Sequence, residues 1–233
     1  MTCAQVRDYL QTQGLKLPVQ EIQMAMLVTQ SVLELAQAEI DLSVLWYEEN
    51  GFSLAEKFNL NTNALRQTHP ADLFTSKDNI AYTLRQLYLV LDSVASRHHN
   101  DTFALYLYEG NDEAGELFRL LARGCQLPAI LKCDQQQINQ YLFARTAITG
   151  WLNQVNDVQS WLNDGSLSGK QNAASQLAVP VSGDQGQILG VLYADHQQPD
   201  AITDTELIEW IALAMVVTPL LYNLHDAATH IKG

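Results

Sequence analysis

The sequence predicts an α+β fold: an antiparallel sheet of hairpins with long helices at its two ends, preceded by a small all-α region. Three observations carry this. Residues 1–75 place their apolar side chains at helical spacing and contain no alternating strand. From Ser76 onward there are two pairs of period-two runs, each joined by a glycine-containing turn. The chain then closes on a long apolar stretch that opens with a helix-capping pattern. The expected division is a helical N-terminal region over 1–75, an α+β domain over 76–226 and a C-terminal tail over 227–233.

Taken in order, Pro18 sits where a first-turn proline belongs, and Ile22, Ala25, Met26, Val32, Leu33 and Ala36 make the apolar stripe of a helix running to Ala38. A run from Leu42 to Tyr47, a break at Asn50-Gly51 and helical pieces over 53–58 and 63–67 follow. His69-Pro70 marks a boundary, because a proline pushes its predecessor out of the helical region. Ile80, Leu84, Leu87, Leu91 and Val94 recur at intervals of 4, 3, 4 and 3, predicting a helix to about Arg97. Thr102 to Tyr108 alternates Phe103, Leu105 and Leu107 against Ala104, Tyr106 and Tyr108. Glu116 to Ala122 alternates Phe118, Leu120 and Ala122 against Leu117, Arg119 and Leu121, and the turn over 110–115 makes the two a hairpin. Asp134 to Trp151 is helical in pattern and ends at Gly150. The Asn-, Asp-, Ser- and Gly-rich stretch to Ala174 reads as loop with a short edge strand near Gln154 to Val158. Ser175 to Val181 and Ile188 to Asp195 form a second hairpin about Gly183-Asp184-Gln185-Gly186. Thr203 and Glu206 form a capping box opening a helix to about Leu224, which Pro219 should bend.

The 233 residues carry Lys+Arg 13 against Asp+Glu 26, a net charge of -13, and are 47% hydrophobic, enough for a real core. The acid excess is -4 over 1–77 (five basic, nine acidic) and -9 over 78–233 (eight basic, seventeen acidic). This counts against a nucleic-acid or anionic-membrane partner for the surface as a whole. Cys3, Cys125 and Cys133 share no metal or redox spacing and read as reduced thiols of a cytoplasmic protein. No signal-peptide run opens the chain. The longest charge-free stretch, Trp210 to His225, is sixteen residues, short of the roughly 20 a membrane span needs.

Several stretches punctuate this order. Ala147-Ile148-Thr149-Gly150-Trp151 closes the central helix, and Asn156-Asp157-Val158 is a short aspartate-bearing segment. Ser175-Gln176-Leu177-Ala178-Val179-Pro180-Val181 ends in a Val-Pro pair. Ile188-Leu189-Gly190-Val191-Leu192-Tyr193-Ala194-Asp195 and Thr203-Asp204-Thr205-Glu206-Leu207 follow. Together they resemble the GAF domain, a small-molecule sensing module of signalling proteins, over roughly residues 78 to 226. The resemblance implies an antiparallel sheet with the first and last long helices on one face and a ligand pocket on the other, under the central helix and loop. It also implies a homodimer through helices 78–97 and 204–224. Physically, Gly190 in an apolar strand suits a close approach by another element, and Pro180 should face an interruption of the ladder.

On that implied placement the pocket candidates are the polar and aromatic strand residues Tyr106, Tyr108, Arg119, Gln176, Tyr193 and Asp195, joined from the loop side by Trp151, Asn153, Asp157 and Trp161. Arg119, alternating with leucines, either pairs with an anionic ligand or lays its stem over apolar surface with its head in water. The tryptophans serve either as ligand platforms or as core and rim residues.

Specialised GAF chemistries leave no matching residues. Cyclic-nucleotide binders carry an Asn-Lys, a later Phe and an Asp-Glu pair, a series not reproduced between Asn153 and Glu209. Bilin binders need a thioether cysteine often followed by His, which neither Cys125-Gln126 nor Cys133-Asp134 provides. Members that reduce free methionine sulfoxide use three cysteines, one in a Gly-Val-Cys-Gly stretch, where this chain has Thr149-Gly150. There is no haem or metal signature. His98-His99-Asn100-Asp101 reads as a solvated helix end, and Cys125 and Cys133 as ordinary thiols, although their spacing permits a reversible disulfide. No phosphate-cradling loop, Gly-x-Ser-x-Gly elbow or His-Glu-x-x-His occurs. The expectation is a non-catalytic sensory or regulatory protein that binds a small molecule or a protein partner and signals through a homodimer.

Residues Phe52 to Arg66 have the cadence of a helix-turn-helix, and with a GAF-like effector domain they would look like the IclR family of transcription regulators. The acidity of 1–75 and the single base in Thr62 to Thr68 oppose DNA binding. The last helix, from Trp210 to Val217, is apolar around its full circumference, so it requires a second burial surface besides the sheet. That surface is the first long helix, the N-terminal region or a second copy of the chain.

Overall fold

The structure, a computed structural model, describes residues 2–35, 57–58, 76–110, 115–124 and 127–230. The expected helix from Pro18 is met by α2 (Val19–Leu35), and α1 (Cys3–Thr12) precedes it. Thr2 and Gln5 cap α1 reciprocally: the Thr2 hydroxyl accepts from the Gln5 N–H, and the Thr2 N–H donates to Gln5 Oε1 at 2.7 Å. The run from Leu42 to Tyr47, the pieces over 53–58 and 63–67, the His69-Pro70 boundary and the helix-turn-helix over 52–66 lie outside the described residues, apart from Lys57 and Phe58.

Helix α3 (Ser76–His98) ends as His99 turns into the left-handed region at φ 57. Strands β1 (Thr102–Gly110) and β2 (Gly115–Arg123) form the expected antiparallel hairpin. Leu105 pairs with Leu121 but Tyr106 pairs with Arg119, so Leu120 is the extra residue of a bulge. This corrects the expected alternation of β2. Leu120 and Leu121 both join Phe118 on one face, and Arg119 shares the other with Leu117 and Ala122.

After β3 (Ile130–Lys132), the expected single helix over Asp134 to Trp151 is two helices, α4 (Gln135–Gln140) and α5 (Leu142–Thr149). Tyr141, at φ -118 and ψ 119, is extended and interrupts them. Gly150 ends α5 in the left-handed conformation at φ 68. The expected edge strand to Val158 is shorter: β4 spans Asn153–Val155, and α6 (Val158–Asn163) follows because the Asp157 carboxylate accepts from the Ser160 N–H at 3.2 Å and caps a helix there.

Strands β5 (Ser175–Ser182) and β6 (Ile188–His196) form the second hairpin, and the sheet runs β3-β2-β1-β6-β5-β4, antiparallel throughout. A Cβ at Gly190 would run into the Tyr106 carbonyl and the Leu221 side chain, so the glycine marks the close approach expected of it. Pro180 lies beyond the last β4 pair, Asn153 with Ala178, where the ladder needs no N–H from it.

One sheet face, including Phe103, Leu105, Leu107, Leu177, Val179 and Leu192, packs against α3 and α7 (Asp204–His230). The other, including Ala104, Tyr106, Tyr108, Val191 and Tyr193, packs under α5. The long helices therefore share one face, as expected. Helix α7 continues through Pro219 to His230, past the expected end near Leu224 and into the expected tail. By length and composition alone Asp204–Ala228 could also cross a membrane, with a most apolar 18-residue stretch of mean hydropathy 1.7, but 72% of that stretch is buried inside the protein. That apolar circumference is used internally. Ile22 and Met26 of α2 are buried in the same core as Trp210, Leu213 and Val217, so the second burial surface α7 requires is supplied by the N-terminal region of its own chain. Fully burying each such side chain contributes about 1.5–3 kcal/mol.

Candidate functional site

Under α5 the sheet carries a cluster of aromatic rings. The α5 helix brings Phe143 down onto β1, where it stacks on Tyr106 with centroids 4.6 Å apart and planes at 12°. Tyr193 of β6 meets the same ring edge-on at 5.4 Å, and Tyr141, at the break between α4 and α5, lies tilted at 5.2 Å. Beside this cluster a cavity of ≈ 100 Å³ remains. Tyr141, Leu142 and Phe143 form its helix side, residues 170–173 its loop side, and Leu127, Gln176, Tyr193 and Asp195 complete it.

Asp195 is the chemically distinctive group. It is 1% exposed, its carboxylate accepts from Thr102 and, through Oδ2, from the Tyr193 hydroxyl at 3.0 Å, and among the described residues Oδ1 has no hydrogen-bond partner. Burial pushes its carboxyl up to about 6, against the opposing hydrogen bonds from Tyr193 and Thr102 and with a further lift from the nearby Asp101 charge. A buried acceptor left unpaired costs about 1–3 kcal/mol, so this oxygen favours an incoming N–H or cation. Gln176 donates to Gln171 Oε1 at 3.0 Å, and Gln171 in turn donates to the Gln140 and Ser168 carbonyls at 2.8 and 2.9 Å, fixing the loop that closes the cavity.

Of the ten residues singled out from the sequence, Gln176, Tyr193 and Asp195 line this cavity, and Tyr106 backs it through Phe143. The rest lie elsewhere. The Tyr106 hydroxyl donates to the Pro128 carbonyl at 2.9 Å, and the buried Arg119 guanidinium donates to the Leu127 carbonyl, so both hold the loop between β2 and β3. Arg119 is 8% exposed, so its head is not in water as the solvent-facing reading had it. Tyr108 packs against Gly115 at the hairpin end. Trp151 is 54% exposed, and Asn153 is bound to Thr146 Oγ1 and the Trp151 carbonyl, both at 2.8 Å. Asp157 caps α6 and, with Trp161, borders a separate surface hollow; the Arg145 guanidinium lies 5.6 Å from the Trp161 ring.

Sequence reasoning passed over Tyr141, Phe143 and Gln171, since two aromatics in an apolar helix pattern look like ordinary core. It also passed over a wider cleft of ≈ 540 Å³ between α1, the end of α5, the turn between β5 and β6, and α7. At the far end of β6, His196 Nε2 lies 3.0 Å from both carboxylate oxygens of Glu206, which also accepts from Asn100 Nδ2 at 2.7 Å. The hydrogen bond to Glu206 holds the His196 ring above its ordinary range, against the effect of burial. The capping box expected at Thr203 is thereby half-formed: the Glu206 N–H donates to the Thr203 hydroxyl, but the carboxylate turns to His196. Asn100 is correspondingly buried rather than solvated.

Cys133 is a buried free thiol pushed up to about 12 by burial and by the charges of Asp134 and Glu116; Cys125 lies outside the described residues. Among the described residues no group of His, Cys, Asp and Glu is placed to hold a metal ion.

An open six-stranded antiparallel sheet with long helices on one face and a short helix over the other defines a GAF-like α+β fold. By sequence the chain matches no family model and no curated protein. Among solved structures, it is similar to the type II free methionine-R-sulfoxide reductase of Thermoplasma acidophilum, with a TM-score of 0.51 at 17% identity over 62% of this chain and 95% of that one. It is also similar to the free methionine-R-sulfoxide reductase of Neisseria meningitidis, solved with its substrate, with a TM-score of 0.50 at 14% identity over 68% and 95%. The GAF domain of an Acinetobacter phosphoenolpyruvate-protein phosphotransferase gives 0.48 at 15% identity over 64% and 93%. At these identities the likeness is one of fold. The expectation of a non-catalytic chain is corrected here: reductases share this architecture, so the missing motifs exclude only their own chemistries.

Proposed function

We propose that the chain is a sensory or regulatory protein whose GAF-like domain binds a small organic cation in the Asp195 cavity and signals through a homodimer. The observation that carries this reading is the Asp195 carboxylate, 1% exposed on the lining of a cavity walled by Tyr141, Phe143 and Tyr193, whose Oδ1 has no hydrogen-bond partner among the described residues. A protonated amine supplies both the missing donor and the countercharge, and aromatic faces attract such a cation. Among the described residues, the one cationic side chain on the cavity lining, Lys170, is solvent-exposed. A volume of ≈ 100 Å³ admits a ligand of few heavy atoms. Calorimetric titration with ethylammonium and tetramethylammonium, against ethanol as a neutral comparator, tests the reading. Binding of the cations that disappears in Asp195→Asn is the expected result. Equal binding of the neutral compound, or unchanged binding by the variant, overturns it.

The dimer element of this reading moves from α7 to α2. With α7 covered, α2 presents Met24, Leu27 and Val28 to solvent, at 64%, 59% and 51% exposure and at i, i+3, i+4 spacing. A strictly monomeric mass at micromolar concentration removes the dimer.

A further inference from the structure

We propose that α1 is a detachable arm that reports occupancy of the Asp195 cavity, with Gln13 as the contact that couples the two. The proposal rests on the reading of that cavity as a ligand site, but the coupling has its own structural basis. Gln13 is the residue on which α1 ends, and its side chain is 9% exposed. Its Nε2 donates to the Gly150 carbonyl at 2.9 Å, and its Oε1 accepts from the Leu152 N–H at 2.5 Å. One side-chain amide therefore bridges both ends of the three-residue hinge joining α5 to β4.

The same helix forms a cavity wall. Phe143 stands in the first turn of α5 and Gly150 is its left-handed C-cap, seven residues or about 10 Å along the axis. While Phe143 is stacked on Tyr106 the cavity holds only ≈ 100 Å³, so a larger occupant has to lift that ring and, with it, the helix. A hydrogen bond is gone by about 3.6 Å. From 2.9 Å, a displacement of roughly 0.7 Å at Gly150 is enough to open the Gln13 contact.

Among the described residues, α1 is otherwise lightly held. Val6 and Leu10 are its buried residues, and the Tyr9 hydroxyl donates to the Pro180 carbonyl at 3.2 Å, on the part of β5 that β4 does not reach. Beneath it lies the ≈ 540 Å³ cleft, so much of its inner face looks onto open space. Elements with few buried apolar contacts open at low free energy and are the ones recruited as moving parts. Because coupling between two sites is reciprocal, loosening either end must loosen the other.

Hydrogen exchange of the full chain, read by mass spectrometry, tests this. In Gln13→Ala, the amides of residues 3–12 are expected to exchange about tenfold faster, the factor associated with losing one to two net hydrogen bonds. Residues 142–149 should exchange faster as well, although Gln13 does not line the cavity. Phe143→Leu should speed exchange in 3–12 from the cavity side. Leu131→Val on β3, at the opposite edge of the sheet from β4, should leave 3–12 unchanged. Tetraethylammonium chloride, a cation too large for ≈ 100 Å³, should against sodium chloride raise exchange in 3–12 in the native protein. Unchanged exchange of 142–149 in Gln13→Ala overturns the coupling, and this outcome decides even if Phe143→Leu does not fold. Calorimetric binding of tetraethylammonium without any response in 3–12 overturns the arm while leaving the cavity reading standing; absent binding of the small cations in the titration above removes the cavity reading instead.

Discussion

Replacing Asp195 by Asn removes a buried charge while keeping the shape of the side chain and an oxygen for the Tyr193 hydroxyl. Burial raises the Asp195 carboxyl from 3.8 to about 6 in the folded protein. A group whose folded pKa is raised binds protons more tightly when folded. The native chain is therefore stabilised by protonation at low pH, and that contribution is lost as pH rises from about 4 to about 6. Two units correspond to about 3 kcal/mol. Allowing for the new amide N–H2 facing a cavity with few acceptors, Asp195→Asn should be about 1–3 kcal/mol more stable than the native protein at pH 7. At 2–4 °C per kcal/mol, that is a rise of several degrees in Tm. Urea unfolding of both proteins from pH 4 to pH 8 isolates the effect, since the other carboxylates cancel in the difference. The difference should be small near pH 4, grow to about pH 6 and then level off. A variant less stable than the native protein at pH 7, or a difference independent of pH, refutes the argument that this carboxylate is held at a cost. Coupled with loss of cation binding, a stability gain would mark Asp195 as a residue retained for function against stability.

Glu206→Gln should return the His196 ring toward its ordinary 6.5 in an NMR titration. In the native protein the pair's contribution is full below that value and is lost as pH rises through the raised folded one, so the variant should lack this alkaline loss and be about 1–3 kcal/mol less stable near pH 6. Gly190→Ala should lower stability by about 1–3 kcal/mol in denaturant unfolding, because the new methyl meets the Tyr106 carbonyl and Leu221. Tyr106→Phe, which removes the hydrogen bond to the Pro128 carbonyl, should cost about 1 kcal/mol and leave cation binding unchanged.

The hairpins and long helices were legible because their periods are unambiguous and their turns carry glycine and aspartate. The deviations share a cause: the deciding partner is remote in sequence. Leu120 and Leu121 are equally apolar, so nothing local shows which of them is the bulge residue. Tyr141 breaks the central helix without a glycine or proline to announce it. Asp157 reads as part of a strand until its carboxylate is seen capping α6. In the site, Gln176, Tyr193 and Asp195 stood out as polar groups on apolar strands, whereas Phe143 was hidden because a cavity wall and a core residue have the same composition. Glu206 carried the right spacing for a cap, but a buried histidine ten residues back competed for its carboxylate. The apolar circumference of α7 required a second partner, yet the choice of α2 over a second chain is a matter of tertiary reach that periodicity does not encode.

The two outermost strands of the sheet, β3 and β4, are three residues each. An unpaired strand edge is a template for a foreign strand, and its hazard grows with its length. Among the described residues, these rims present only short rows of free backbone donors and acceptors, and the stretch of β5 left bare by β4 is partly occupied by Tyr9. The sheet is thus poorly suited to growing sideways into a continuous ribbon with its neighbours. If copies of the chain associate as proposed, side chains on the helical layer are the groups that would do it, where a single substitution can act without disturbing the backbone ladder.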